Sequence, residues 1–123
     1  MKSKEYESAI SSYTKSIDIN PSEAATFSNR AMAYLRMKQY PKVIEDSNAC
    51  LQIDPDYIKG YHRRGKAYLA CNKYELAIKD FQYILEREPE NKDINADLHT
   101  ARNKLFDNEP KVQEVEDDAE EVL

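Results

Sequence analysis

Three basic residues and one amide of this sequence have the types and the spacing to bind carboxylates. Lys59, Arg63 and Lys66 stand at positions i, i+4 and i+7, so they form one stripe if their segment is helical. Asn29 lies 34 residues before Arg63. An ammonium, a guanidinium and an amide on one surface suit the carboxylates of an extended peptide, because all three donate hydrogen bonds. The elements that carry these residues decide whether they meet.

These elements belong to an internal repeat with a period of 34 residues. Tyrosine, apolar residues and proline recur at this spacing in three segments. The columns are Tyr6, Tyr40 and Tyr74; Ala9, Val43 and Ala77; Ile10, Ile44 and Ile78; Ile17, Leu51 and Leu85; and Pro21, Pro55 and Pro89. Chance does not produce so many columns at one period, so the sequence indicates a stack of similar units.

A second set of columns predicts one further helix before each of the last two segments. Its pairs are Phe27 with Tyr61, Ala31 with Gly65, and Tyr34 with Tyr68. These offsets lie on one helical stripe, and the small residues let a partner helix approach closely. The predicted unit is a helix, a short turn, a second helix and a turn marked by proline, with Ser22 as an N-cap. The fold class is therefore all-α, in agreement with the scarcity of glycine.

The period, the small and aromatic columns of the first helix, the alanine of the second and the closing proline resemble the tetratricopeptide repeat. The resemblance implies a solenoid of helix-turn-helix units, a right-handed superhelix whose first helices line a concave groove. We expect a partial first repeat at residues 1–21, with only its second helix, and two complete repeats at residues 22–55 and 56–89. A capping helix at residues 90–106 and an acidic tail at residues 107–123 follow. The apolar stripe of the capping helix is Ile94, Leu98, Ala101 and Leu105.

The stretches "SNRAMAYL" and "KGYHRRGKAY" also resemble the carboxylate-clamp class of these domains. That class occurs in co-chaperones that hold the C-terminal Glu-Glu-Val-Asp tails of cytosolic heat-shock chaperones. The resemblance assigns Asn29, Lys59 and Arg63 to the clamp. Members of the class draw a further lysine and asparagine from the first helix of repeat one, which would precede Met1 here. The predicted function is a co-chaperone-like adaptor; the alternative is a general scaffold that binds a protein without clamping a carboxylate.

Other residues near this stripe are candidates for the groove as well. They are Lys66, Arg36, Met32 and His62. Basic residues on a helix are often only a solvated face, and this interpretation applies to Lys66 and Arg36 as much as a binding role does. Arg30 and Arg64 are expected outside the groove, paired with acids such as Glu45 or Asp46.

Composition and charge exclude several other classes of function. The sequence has only two histidines, with no nucleophile–base pattern around them, and no glycine-rich phosphate loop. These observations argue against an enzyme, a metal site or a cofactor. Residues 1–106 carry a net charge of only +2, and the acidic tail would repel phosphate, so nucleic acid is not an expected partner. No apolar run is long enough for a membrane span. Isolated Cys50 and Cys71 are expected to be reduced thiols in a cytoplasmic protein.

The two ends of the chain suggest contacts beyond the groove. Ala9, Tyr13 and Ile17 would be left uncovered by the missing first helix, so a truncated first repeat invites self-association. The tail carries eight acidic residues and one lysine. It is expected to be disordered or weakly helical. Two alternatives are an amphipathic helix that docks on apolar surface, and occupation of a basic groove by its ending "AEEVL".

Overall fold

The described part of the protein folds into six α-helices, each packed on the next along the chain. The computed structural model describes residues 3–108. The helices are α1 (Ser3–Ile19), α2 (Ala24–Arg36), α3 (Tyr40–Ile53), α4 (Ile58–Ala70), α5 (Tyr74–Arg87) and α6 (Lys92–Asn108). The all-α class and the helix-turn-helix pairing predicted from the repeat are confirmed. Of the acidic tail predicted at residues 107–123, the first two residues end α6, and residues 109–123, with the predictions made for them, lie outside the described residues.

The helix boundaries follow the repeat. The first helices α2, α4 and α6 begin at Ala24, Ile58 and Lys92, which are 34 residues apart each time. The turns inside the two complete units also match, because Lys38 and Asn72 both adopt positive φ, at 61° and 64°. This conformation lets the chain reverse within a few residues and begin the second helix.

The N-cap expected at Ser22 is wrong. The helix α2 begins two residues later, and Glu23 occupies the N-cap position without a side-chain capping bond. The backbone N–H of Ser22 instead donates to Oδ1 of Asn20 at 3.1 Å, so the turn before α2 uses an asparagine side chain.

The repeat columns form the core between the helices. One cluster joins Ala31 of α2, Val43 of α3 and Ala67 of α4, all with no exposed surface. A second, larger cluster lies between α5 and α6 and includes the fully buried Phe81 and Ile94. Of the expected stripe of α6, Leu98 and Ala101 are also buried, while Leu105 is half-buried.

The helix α1 differs from its equivalents α3 and α5 because it has no buried residue. Ala9 and Tyr13 are half-buried, whereas the residues 34 and 68 positions later are fully buried. The reason is that α3 and α5 each pack between two first helices, whereas α1 packs on α2. Self-association through this face stays a prediction.

Gly65 sets the distance between α4 and α5. A Cβ atom at this position would lie 2.6 Å from Cε1 of Phe81, a ring with no exposed surface. At Gly60 the corresponding contact is 2.8 Å, but it involves the end of the flexible Leu51 side chain. The contact at Gly65 is therefore the harder of the two to relieve, because it meets a fully buried ring and not the end of a flexible side chain.

We expect Gly65→Ala to lower the free energy of unfolding by about 1–2 kcal/mol, because overpacking against Phe81 outweighs the gain in helix propensity. Urea unfolding followed by circular dichroism measures this change. Gly60→Ala is the matched control and should change stability by less. Equal or greater stability of Gly65→Ala than of the unsubstituted protein would show that α4 and α5 have room to separate.

Candidate peptide-binding groove

The predicted site residues lie on matching faces of the first helices. Asn29 and Arg36 are separated by seven positions on α2, and Lys59 and Lys66 by seven positions on α4, so each pair lies on one stripe. The helices α2 and α4 contact each other directly. Because both occupy the same place in the repeat, their stripes run side by side.

A pocket of about 280 Å³ lies between these stripes. It is lined by Met32, Leu35, Arg36, His62, Arg63, Lys66 and Asp93. The structure thus brings together five of the seven predicted site residues. Asn29 and Lys59 are exposed and do not line the pocket; they lie about one helical turn before it on α2 and α4. A larger hollow of about 430 Å³, where the start of α5 meets the end of α6, contains none of the predicted site residues.

Arg63 is the least expected feature of this pocket. Its stripe was predicted to present cations to the groove, but burial was not predicted, and only 8% of Arg63 is exposed. Its Nε has no hydrogen-bond partner, and Arg63 forms no salt bridge among residues 3–108. Burial lowers the pKa of the guanidinium below its ordinary value, and the charge of Arg36 lowers it further. The group still carries its charge, so it is a buried cation that no acid within residues 3–108 neutralises.

The neighbouring arginines are fully partnered. Arg30 donates from Nε and Nη2 to both carboxylate oxygens of Asp46 at 2.8 Å, which confirms the expected pair. Arg64 forms the same two-bond arrangement with Asp80, at 2.9 and 2.8 Å. Each of these pairs ties a first helix to the second helix of its own repeat. Arg30 and Arg64 therefore stabilise the packing of these helix pairs, whereas Arg63 has no such partner among residues 3–108.

Lys66 is held by two carboxylates of α6. Its Nζ lies 2.6 Å from Oδ2 of Asp97 and 3.1 Å from Oδ2 of Asp93. Burial opposes the charge of Lys66, but its interactions with the carboxylates of Asp97 and Asp93 outweigh burial and raise the pKa of Lys66. This lysine lines the pocket, as predicted for a groove residue, but its charge is already matched.

The two aspartates were missed by the sequence reasoning, although the repeat contains a signal for them. Asp93 follows Lys59 by 34 residues, and Asp97 follows Arg63 by 34. Since α6 begins in register with α2 and α4, these acids occupy the clamp positions of the next first helix. Extending the columns into the capping helix would have found them.

Cys50 does not have the features of a reactive thiol, because it is buried and burial raises its pKa to about 11. Cys71 is also a free cysteine and is half-buried. Within residues 3–108 there is no group of histidine, cysteine or acidic side chains that could hold a metal ion. No helix in the same range is long and apolar enough to cross a membrane.

Two family models of the tetratricopeptide repeat match the chain in three consecutive segments, residues 1–23, 24–57 and 58–91. The period of these matches is that of the columns described above.

Two similar solved structures are domains of RPAP3 proteins. The first TPR of Spaghetti (RPAP3), bound to the HSP90 peptide SRMEEVD, is 37% identical, with a TM-score of 0.79 and 82% of each chain covered. The second TPR domain of human RPAP3, in complex with the HSP70 peptide SGPTIEEVD, is 35% identical, with a TM-score of 0.74, covering 79% of this chain and 81% of that domain.

A curated human protein shares a shorter segment. Serine/threonine-protein phosphatase 5 from Homo sapiens is 51% identical over 35 residues. The match covers 28% of this chain and only 7% of the phosphatase.

His62 provides a test of the electrostatics of the pocket. Burial lowers its pKa, Lys66 and Arg63 lower it further, and Asp93 and Asp97 oppose them. Just below pH 6.5, the folded protein therefore binds fewer protons than the unfolded chain. The stability that His62 contributes above that pH is lost as the pH falls towards its folded-state pKa.

We expect His62→Gln to reduce the loss of unfolding free energy between pH 7.5 and pH 5.5, measured by urea titration. An equal reduction by His99→Gln, at the exposed histidine of α6, would contradict this assignment.

Proposed function

Because the chain belongs to the tetratricopeptide repeat family, we propose that it is a co-chaperone-like adaptor whose groove binds the acidic C-terminal peptide of a cytosolic heat-shock chaperone. Asn29, Lys59 and Arg63 hold the carboxylates of that peptide. The groove acts by binding, and the proposal includes no catalytic step. A cytoplasmic location follows from the compartment of the partner and from the two free cysteines.

The observation that carries this proposal is the unpaired Arg63. A buried guanidinium without an anion is costly, and proteins normally satisfy such a group with a carboxylate. Arg30 and Arg64 have theirs in Asp46 and Asp80. Arg63 has none among the described residues and lines an open pocket, so an anion from outside would complete it. A planar guanidinium binds a carboxylate through two parallel hydrogen bonds.

The residues around Arg63 add the rest of an acidic-peptide site. Lys59 precedes Arg63 by one turn of α4, is exposed, and has an ammonium free to reach a second ligand oxygen. Asn29 occupies the position of Arg63 on α2 and is exposed as well. On the pocket side, Met32 and Leu35 offer apolar contact between Arg36 and Arg63. This combination suits a short peptide with both acidic and apolar side chains.

The similar structures support the same class of ligand. Both RPAP3 domains are bound to peptides that end in Glu-Glu-Val-Asp, which carry two acidic side chains, an acidic last residue and one valine. The chain is 37% and 35% identical to these domains over about four-fifths of its length.

The test is calorimetric titration with the peptide SRMEEVD and with its C-terminally amidated form. We expect Lys59→Ala and Arg63→Met each to weaken binding of the free acid by about tenfold to a hundredfold, because each removes a charge-assisted hydrogen bond of about 1.5–3 kcal/mol. Methionine is chosen at position 63 because it fills much of the buried volume without the charge.

The matched control is Lys79→Ala, which removes an exposed lysine from the second helix α5, away from the pocket. It should bind the peptide as the unsubstituted protein does. Urea unfolding of all variants separates loss of binding from loss of folding. If the amidated peptide binds as well as the free acid, or if Arg63→Met binds normally, the carboxylate clamp is wrong and the general scaffold function becomes the better explanation.

A further inference from the structure

The clamp positions carry a different chemical group on each first helix. The column that begins with Asn29 continues with Arg63 and ends with Asp97, so an amide, a cation and an anion follow one another across the groove. The column of Lys59 ends with Asp93. The side of the groove formed by α2 and α4 is therefore cationic, whereas the side formed by α6 is acidic.

The acids of α6 outnumber the lysine that they hold. Lys66 contacts both Asp97 and Asp93, at 2.6 and 3.1 Å, so the three groups together have a net charge of −1. The Asp97 side chain is 21% exposed, while that of Asp93 is 64% exposed. Asp97 is the closer ion-pair partner of Lys66, whereas Asp93 accepts a hydrogen bond from Lys66 and is the more exposed of the two carboxylates.

This acidic group lies in the pocket that contains the unpaired guanidinium. Arg63 is more than nine-tenths buried, its Nε lacks a partner, and it lines the pocket together with Lys66 and Asp93. A peptide anchored at Lys59 and Arg63 that continues along α4 therefore passes Lys66 and reaches Asp93.

The distance along α4 fixes which ligand residue arrives there. The seven residues from Lys59 to Lys66 rise about 10 Å. An extended peptide covers this distance in about three residues, at about 3.3 Å each. The residue three positions before the C-terminal residue is therefore level with Lys66, and a long side chain one or two positions further from the C-terminus extends towards Asp93, which pairs with Lys66 at 3.1 Å.

We propose that Asp93 and Asp97 determine which acidic peptides the groove accepts: they keep Lys66 away from the ligand, and they favour a basic residue a few positions before the acidic C-terminus. This inference rests on the proposed function, since it assumes that the C-terminal carboxylate is anchored at Lys59 and Arg63. An acidic ligand residue at that position meets the carboxylate of Asp93 instead of a free ammonium and is disfavoured.

The test compares three peptides that differ at one residue. SRMEEVD has an arginine five positions before its last residue; in the other two peptides this arginine is replaced by alanine or by glutamate. For the unsubstituted protein we expect the order of affinity to be arginine, alanine, glutamate. Each step should be about two- to fivefold, the size expected for a partly exposed ion pair.

Substitutions in the protein identify the source of this preference. Asp93→Asn should reduce the ratio of the affinities for the arginine and glutamate peptides. The double substitution Asp93→Asn with Asp97→Asn should reduce this ratio further, because it frees Lys66. Asp107→Asn, at the exposed far end of α6, removes the same charge outside the pocket and should leave the ratio unchanged.

Lys66→Met separates the two roles open to this lysine. If the aspartates hold Lys66 away from the ligand, its removal leaves their charge unmatched and raises the preference for arginine. If Lys66 binds ligand carboxylates, its removal weakens all three peptides and overturns the proposal.

The remaining outcomes distinguish this inference from the function on which it rests. Equal affinity for the three peptides, with amidation still abolishing binding, overturns the role of Asp93 and Asp97 and leaves the clamp intact. Failure of all three peptides to bind the folded protein overturns both. Urea unfolding of each variant, monitored by circular dichroism, confirms that the comparison is made between folded proteins.

Discussion

The contact between Gly65 of α4 and the ring of Phe81 is the constraint on which the groove depends. With no side chain at Gly65, α4 lies against α5 closely enough for the ring to pack on its backbone. This contact fixes the rotation of α4 about its own axis. Once that rotation is set, the stripe of Lys59, Arg63 and Lys66 must turn away from α5, towards α2 and α6.

The same rotation gives two adjacent arginines opposite roles. Successive residues of a helix point about 100° apart, so Arg63 and Arg64 cannot face the same neighbour. Arg64 turns to Asp80 of α5, as Arg30 turns to Asp46 of α3, and each closes a pair with two hydrogen bonds. Arg63 turns into the pocket between the first helices, where it forms no salt bridge with an acid of the described residues. A shift of one position along α4 therefore decides whether an arginine pairs with an acid of the next helix or faces the pocket.

The capping helix has a double role in this arrangement. Its apolar side, with Ile94 and Ala101, closes the core above α5. Its polar side places Asp93 and Asp97 against Lys66, so the helix that ends the stack also changes the charge of the groove. A solenoid can combine these roles because its end helix occupies the place of another first helix and shares its orientation.

The sequence alone determined the period, the helix-turn-helix units, the family and the column that joins Asn29 to Arg63, because these depend on spacing along the chain. It also predicted that Arg30 pairs with an acid outside the groove, with Glu45 and Asp46 as candidates, and the structure selects Asp46. It did not determine the N-cap of α2, which is Glu23. Ser22 lies in the turn before this helix, and its backbone N–H donates to the side chain of Asn20. Nor did it determine that Arg63 is buried or that Lys66 is already paired. Those features depend on how three separate helices pack side by side, and only the tertiary structure decides which charges then share a pocket.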